Sequence, residues 1–320
     1  MIRYAGRRLL ASLPVVSGIM LLSFVLVQSM PGDPLRMLIP PDLIQGTEGQ
    51  QFLAAQRARF GLDDPLIVQF FHWVGQLFRG NLGYSFHLSR PVTEILAERA
   101  GPSLILMGGS MLVALVVAVP VGLMAALRRN SGFDYAASAL GMSVIAIPSF
   151  FTALASIYIF GVKLRWLPPG GMGEDGFVDF VKHAIMPIGV LSASLFGPYM
   201  RYTRQSALEV MNELYITAAR ARGAPRRIVI GKHTLKNAAI PIATVTIVQI
   251  PLLVGGAIVI ETMFAWPGTG LIVFTAITTL DFPVIIGFTL VVAIIVVFSQ
   301  LFLDIFIAWL DPRVRLEGRR

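Results

Sequence analysis

The chain has 320 residues, of which 55% are hydrophobic and only 14% are charged, and its formal net charge is +8. Soluble domains carry about 25% charged residues, so this composition excludes a pair of ordinary soluble domains. The basic residues lie mostly between apolar runs, so membrane topology explains the positive charge better than nucleic-acid binding. Cysteine is absent, which excludes disulfides, thiol chemistry and Cys-ligated metal sites. We therefore predict an all-α integral membrane protein.

The first apolar run follows a basic N-terminus that resembles the start of a signal peptide. Residues 9–28 are too many for a signal-peptide core of about 7–15 residues, and no A-x-A-like cleavage site follows. We interpret this run as an uncleaved first membrane helix.

Six apolar runs are long enough to cross a bilayer. The predicted spans are residues 9–28, 103–127, 135–162, 183–200, 238–260 and 284–310. The third contains Pro148, which membrane helices tolerate if neighbours satisfy the freed carbonyl. The fourth contains Pro187 and Pro198 and is rich in small residues, so we expect it inside the helix bundle.

Charge placement gives the topology. With the N-terminus in the cytoplasm, the inside segments 1–8, 128–134, 201–237 and 311–320 hold 17 Lys and Arg residues against 5 acids. This excess has the sign of the positive-inside rule. It predicts both termini in the cytoplasm, an external segment at 31–100 and a cytoplasmic loop at 201–237.

The external segment contains an amphipathic stretch, residues 65–78, with an aromatic face. We interpret it as a small external cap or a helix beside the membrane; direct contact with substrate is the alternative. Farther along, Pro267-Gly268 predicts a bend that makes residues 261–270 a re-entrant or interfacial element. The alternative is a plain loop with an interfacial Trp266.

The cytoplasmic loop contains a pattern of small residues. Residues 217–222 favour a short helix, which Gly223 stops by adopting positive φ and Pro225 prevents from continuing. The alternative is an ordinary basic loop, which explains the charge but not the Ala-Ala-x-x-x-Gly spacing.

At this loop the chain resembles the permease subunits of type I ABC importers, whose signature is Glu-Ala-Ala-x-x-x-Gly. Ala218, Ala219 and Gly223 match it, whereas Thr217 replaces the Glu, so no salt bridge carries over from that position. Leu235 also fits the longer signature, but Lys236 stands where proline is usual.

The departures are typical of the dipeptide, oligopeptide and nickel permeases. Matching motifs run over nearly the whole chain: Pro-Gly-Asp-Pro at 31–34, Gly-Leu-Asp-Asp-Pro-Leu at 61–66, Trp-Leu-Pro at 166–168, Glu-Thr-x-Phe-x-Trp-Pro-Gly-x-Gly at 261–270, and Leu-Asp-Pro-Arg at 310–313. The short N-terminus and long external segment resemble the "B" type of these permeases.

The resemblance implies a six-helix type I importer fold and a bacterial inner-membrane location. It implies a complex with a related "C"-type permease, two ATPases and an external binding protein. The chain itself would be no enzyme: it has no P-loop, so ATP and Mg would bind in the ATPases. Lipid is a further partner, and nucleic acid is not expected. No catalytic, cofactor or metal residue is assigned.

The resemblance also implies two candidate sites. The coupling loop comprises Tyr215, Thr217, Ala218, Ala219, Arg220, Arg222 and Gly223; the external gate or turn comprises Glu261, Trp266, Pro267, Gly268 and Gly270. The implied cargo is di- or oligopeptides, with nickel chelates or glutathione as alternatives. An ATP-independent channel or secondary transporter is the alternative of a different class, and an intramembrane enzyme lacks its motifs.

Overall fold

The computed structural model describes residues 2–28, 64–223, 225 and 228–310, and within them the chain is helical. The one β feature among these residues is an isolated bridge between Tyr84 and Pro91. The α-helices are α1 (Ile2–Gln28), α2 (Leu66–Phe78), α3 (Val92–Leu127), α4 (Gly132–Ala146), α5 (Ser149–Ser156), α6 (Phe177–Met211), α7 (Leu214–Ala221), α8 (Lys236–Met263), α9 (Thr269–Thr278) and α10 (Phe282–Leu310). The chain also has two π-helical segments among the described residues. The first, π1 (Ile157–Lys163), continues α5, and the second, π2 (Val229–Leu235), precedes α8.

The long helices confirm the prediction of an all-α, multi-span membrane protein. Helices α3, α6, α8 and α10 are each long and apolar enough to cross a bilayer, and α4 with α5–π1 forms a fifth, bent candidate. Helix α1 contains a shorter apolar stretch, Leu10–Leu26, at the position of the first predicted span. Helix α6 runs to Met211, so the first part of the predicted loop 201–237 is helical.

The predicted span 135–162 is broken into two helices. Proline disfavours the helical region for the residue before it, and Ile147, which precedes Pro148, has φ −90° and ψ 121°. Helix α4 therefore ends at Ala146, and α5–π1 leaves at 95° to it. Pro148 therefore bends this span instead of lying inside one continuous helix.

Helix α6 is the most buried of the four long helices, as its small residues predict. Half of its apolar window is buried, against 22–28% for the other three long helices. It packs on α4, α5 and α8. Gly197 of α6 meets the backbone of Gly141 so closely that a Cβ atom would overlap it, which is how small residues let helices approach.

By its internal contacts the chain forms two compact units. The first comprises Met1–Ala5, Gly101–Leu271 and Phe298–Arg320, and the second comprises Gly6–Ala100 and Ile272–Val297. One permease domain over residues 1–320 stays a prediction.

A buried ion pair joins α4 to α6. Arg204 donates from Nε to Asp134 Oδ1 over 2.5 Å and from a terminal nitrogen to Oδ2 over 2.7 Å. Asp134 also accepts from the Asn130 backbone N–H at 3.0 Å, while Ser131 caps α4 by accepting from the Asp134 N–H. The Asp134 side chain is nearly inaccessible, and that of Arg204 is 28% exposed.

Replacing Arg204 by Ala leaves the Asp134 carboxylate buried without its cation. We expect the free energy of unfolding to fall by about 3 kcal/mol, the low end for breaking a buried pair, because Arg204 keeps some solvent contact. Thermal unfolding of the purified chain in detergent measures this. Arg201→Ala, an exposed arginine one turn earlier on α6, is the control; equal effects of the two substitutions would contradict the role of the pair.

Candidate functional site

The predicted coupling loop forms helix α7. The Ile216 and Thr217 N–H groups bond to the Glu213 carbonyl at 3.0 and 3.3 Å, which starts the helix directly after α6. At its other end the Arg222 N–H donates to the Ala218 carbonyl at 3.1 Å, and Gly223 has φ +80°. Left-handed φ is costly for residues with a Cβ atom, so glycine suits this position, as predicted.

Helix α7 has one buried face and one exposed face. Ile216 and Ala219 are buried, and α7 packs on π2 and α6. The Asn237 side-chain amide donates to the Tyr215 hydroxyl at 3.0 Å and ties α7 to the start of α8. The exposed face carries Leu214, Tyr215, Thr217, Ala218, Arg222 and Gly223. The two alanines of the signature therefore differ: Ala218 faces outward and Ala219 faces inward. The Arg220 side chain lies outside the described part.

The second candidate site is the turn between α8 and α9, and it begins earlier than Pro267-Gly268. Ala265 has φ +49°. The Trp266 N–H bonds to the Glu261 carbonyl at 2.8 Å, and the Ala265 N–H bonds to the Thr262 carbonyl at 3.3 Å. These two bonds are those of a Schellman motif, in which one left-handed residue ends a helix. Alanine fills the position that glycine usually occupies.

The Glu261 side chain organises this turn. It is fully buried and accepts from the Ser103 hydroxyl at 2.6 Å, from the Gly270 N–H at 2.6 Å and from the Leu271 N–H at 3.2 Å. Ser103 Oγ in turn accepts from the Thr269 N–H at 2.8 Å. A carboxylate beside free N–H groups stabilises a helix N-terminus. Glu261 therefore holds the start of α9 against the end of α8 and against α3.

The other predicted turn residues surround this carboxylate. Trp266 is fully buried, lies 6.0 Å from the Phe180 ring and donates from Nε1 to the Pro102 carbonyl at 3.0 Å. A Cβ atom at Gly268 would overlap the Glu261 carboxylate, and one at Gly270 would overlap the backbone of Ile258. Pro267, directly before Gly268, is half-buried. The alternative of a plain loop with an interfacial Trp266 does not fit this packed arrangement.

Two polar pairs were missed from the sequence. Ser103 stands at the start of a predicted span, and its hydroxyl donates to Glu261, 158 residues away. Asp281, just before α10, accepts from the Ser85 hydroxyl and from the N–H groups of Phe86 (3.2 Å) and His87 (3.1 Å). An aspartate shortly before an apolar run is a capping signal that sequence inspection can find. The groups that bind Asp281 cannot be found in that way.

Metal ligation finds no support in the part of the chain that the structure covers: it holds no group of three or more His, Asp or Glu suited to an ion. That the chain needs no metal or cofactor stays a prediction.

Comparison with known proteins gives two matching family models. Residues 118–316 match "binding-protein-dependent transport system inner membrane component", and residues 1–107 match the N-terminal region of such membrane components. The chain is similar to a Brucella suis protein provisionally named a peptide permease, with 41% identity over 99% of this chain and all of that protein. It is 36% identical to the oligopeptide transport system permease protein AppB of Bacillus subtilis, over 98% of this chain and 99% of that one. It is 34% identical to the glutathione transport system permease protein GsiC of Salmonella typhimurium, over 99% and 100%.

Replacing Glu261 by Ala removes the acceptor for the buried Gly270 N–H, for the half-buried Leu271 N–H and for the Ser103 hydroxyl. A buried donor that loses its acceptor costs about 1–3 kcal/mol, so we expect the Gly270 N–H alone to lower the free energy of unfolding by about 1–3 kcal/mol. Thermal unfolding in detergent measures it. Glu209→Ala, at an exposed glutamate of α6 that accepts from Gln205, is the matched control and should change little. A Glu261→Ala chain as stable as that control would show that the carboxylate does not hold the turn.

Proposed function

Because this chain belongs to the family of inner-membrane components of binding-protein-dependent transport systems, we propose that it imports di- or oligopeptides as half of the translocation path of an ATP-driven ABC importer. It is the membrane permease subunit of such a system. The observation that carries the coupling part of this proposal is helix α7, a short helix anchored on one face and exposed on the other.

We place α7 in a cleft of an ATPase subunit. Thr217 and Ala218 give the middle of the exposed face small side chains that a cleft can enclose. Ile216 and Ala219 pack inward, and the Tyr215–Asn237 bond joins α7 to α8. A push on α7 would therefore be passed to α6 and α8 as a rigid-body displacement, the kind of movement that alternating access needs.

The remaining parts of the complex follow from what the chain lacks and from its charge. We propose that ATP and Mg bind in two partner ATPases and that this chain itself catalyses no reaction, in keeping with a sequence that contains no P-loop. We propose a related "C"-type permease as the other half of the path. We propose that both termini and α7 lie in the cytoplasm, because the basic segments then obey the positive-inside rule. The α8–α9 turn then lies on the external side, where an external binding protein delivers substrate.

In that orientation the α8–α9 turn is a stiff element near the external gate. Glu261 binds it to α3, and the buried Trp266 fills the space behind it. We infer that α3, α8 and α9 move together at this end, so that a displacement of α8 that begins at α7 also reaches the external side.

Gly223→Asp tests the coupling role of α7. A side chain at φ +80° is strained by about 1–2 kcal/mol, so the end of α7 shifts while the spans stay folded. We expect substrate-stimulated ATP hydrolysis and uptake by the reconstituted complex to fall severalfold, with basal hydrolysis retained. Gly231→Asp adds the same charge at another exposed glycine that has no neighbour within 4 Å and no left-handed φ, and should behave like wild type. Full stimulation in the Gly223→Asp complex would remove the coupling assignment.

Peptide cargo is proposed because relatives covering nearly the whole chain are named peptide permeases. Glutathione, itself a short peptide, and nickel chelates are the alternatives, the first because similar chains carry that name. Uptake of labelled dipeptide into proteoliposomes with the assembled importer decides between them. We expect unlabelled di- and oligopeptides to compete and a nickel chelate not to compete. Uptake of the chelate or of glutathione alone would correct the cargo and leave the permease assignment intact.

A further inference from the structure

Helix α2 has three distinct faces, and one of them is apolar and uncovered. Gln69, His72 and Gln76 form a polar face. Phe70, Trp73 and Leu77 form a packing face. Ile67, Phe71 and Phe78 form the third, which we call the open apolar face; all three side chains are more than 60% exposed. The helix contains no Asp, Glu, Lys or Arg, so this face lacks the charges that mark most solvent-exposed helices.

Contacts at the start of the helix bring it to the end of α1. The Phe24 ring of α1 lies 5.3 Å from Phe70 and 5.9 Å from Trp73, centroid to centroid. The Gln28 amide, at the last residue of α1, donates to Gln69 Oε1 at 2.7 Å. Phe24 is one turn from that end, and its helix neighbours Leu22, Val25 and Leu26 are exposed apolar residues suited to lipid. Helix α2 therefore begins at the depth where α1 leaves the apolar layer.

The chain just after α2 is tied to the start of another span. A Cβ atom at Gly287 of α10 would lie 3.5 Å from Leu82, and one at Gly83 would lie 3.7 Å from Pro283. Both ends of the α2 segment thus meet the ends of membrane helices. The helix of 13 residues is about 20 Å long. Because Phe70 meets the end of one span and Leu82, four residues past the helix, meets the start of another, we infer that the helix runs along the membrane boundary.

We propose that α2 is an interfacial anchor, whose open apolar face inserts at the boundary between headgroups and acyl chains of the outer leaflet. The open apolar face lies beside the packing face, at the depth in the membrane that Phe24 marks. Acyl chains are the apolar medium at that depth, so lipid is the occupant. Since the helix carries no charged residue, insertion depends on buried apolar area and not on anionic headgroups. The anchor would hold the external segment at a constant depth during transport.

Site-specific labelling tests the anchor directly, since the chain contains no cysteine. A single Phe71→Cys, labelled with an environment-sensitive fluorophore, is reconstituted as the complete importer in phosphatidylcholine vesicles that contain a doxyl lipid with the quencher near the headgroup. Gln76→Cys, exposed on the polar face of the same helix, is the matched control. Ile67→Cys repeats the test on the open apolar face in case Phe71→Cys lowers the yield of folded protein.

We expect blue-shifted emission at positions 67 and 71 and quenching at least about twofold stronger than at position 76. Replacing phosphatidylcholine by anionic phosphatidylglycerol should leave the quenching unchanged. Equal quenching on the two faces would overturn the proposal. So would blue-shifted emission at position 71 without lipid quenching, because that result would mean that a protein covers the face.

Discussion

Lipid offers no hydrogen-bond partners, so every buried polar group of a membrane chain must find its partner within the protein. The Glu261 carboxylate shows how this constraint fixes the packing of helices. It sits fully buried at the end of α8, and a hydroxyl from α3 and two N–H groups from the start of α9 satisfy it. Because these groups come from three helices, satisfying one charge also sets how those helices meet. The Asp134–Arg204 pair does the same between α4 and α6.

This constraint connects to the proposed transport cycle. A helix that transmits a displacement must keep its local structure. Unsatisfied polar groups are the points at which a membrane helix distorts. Helix α7 is joined to α8 by a hydrogen bond and to α6 by direct chain connection, and α8 ends in the Glu261 turn. The proposed path from ATPase to external gate therefore runs along one helix with fastened ends. Side-chain hydrogen bonds of Asn237 and Glu261 hold its two ends.

The sequence predicted what depends on local chemistry. Apolar length predicted the long helices, small residues predicted the buried α6, and Gly223 predicted the end of α7. Where the structure differs from the expectation, a second local rule competes. Pro148 bends a span that hydrophobicity alone makes continuous, and Ala265, which precedes the expected Pro267-Gly268 bend, takes the left-handed φ that ends α8. The partners of Glu261 and Asp281 were out of reach, because Ser103 and Ser85 lie 158 and 196 residues away. Hydroxyl groups so distant in the chain leave no pattern in one sequence.

We propose that this chain moves its cargo only when partner ATPases hydrolyse ATP. The most direct test is uptake of labelled dipeptide into proteoliposomes that contain the complete importer and its binding protein, with ATP supplied on the face that carries α7. We expect uptake with ATP and none with a non-hydrolysable analogue. Flux of the peptide down its gradient through vesicles that contain this chain without the ATPases would contradict it and indicate a channel or secondary transporter.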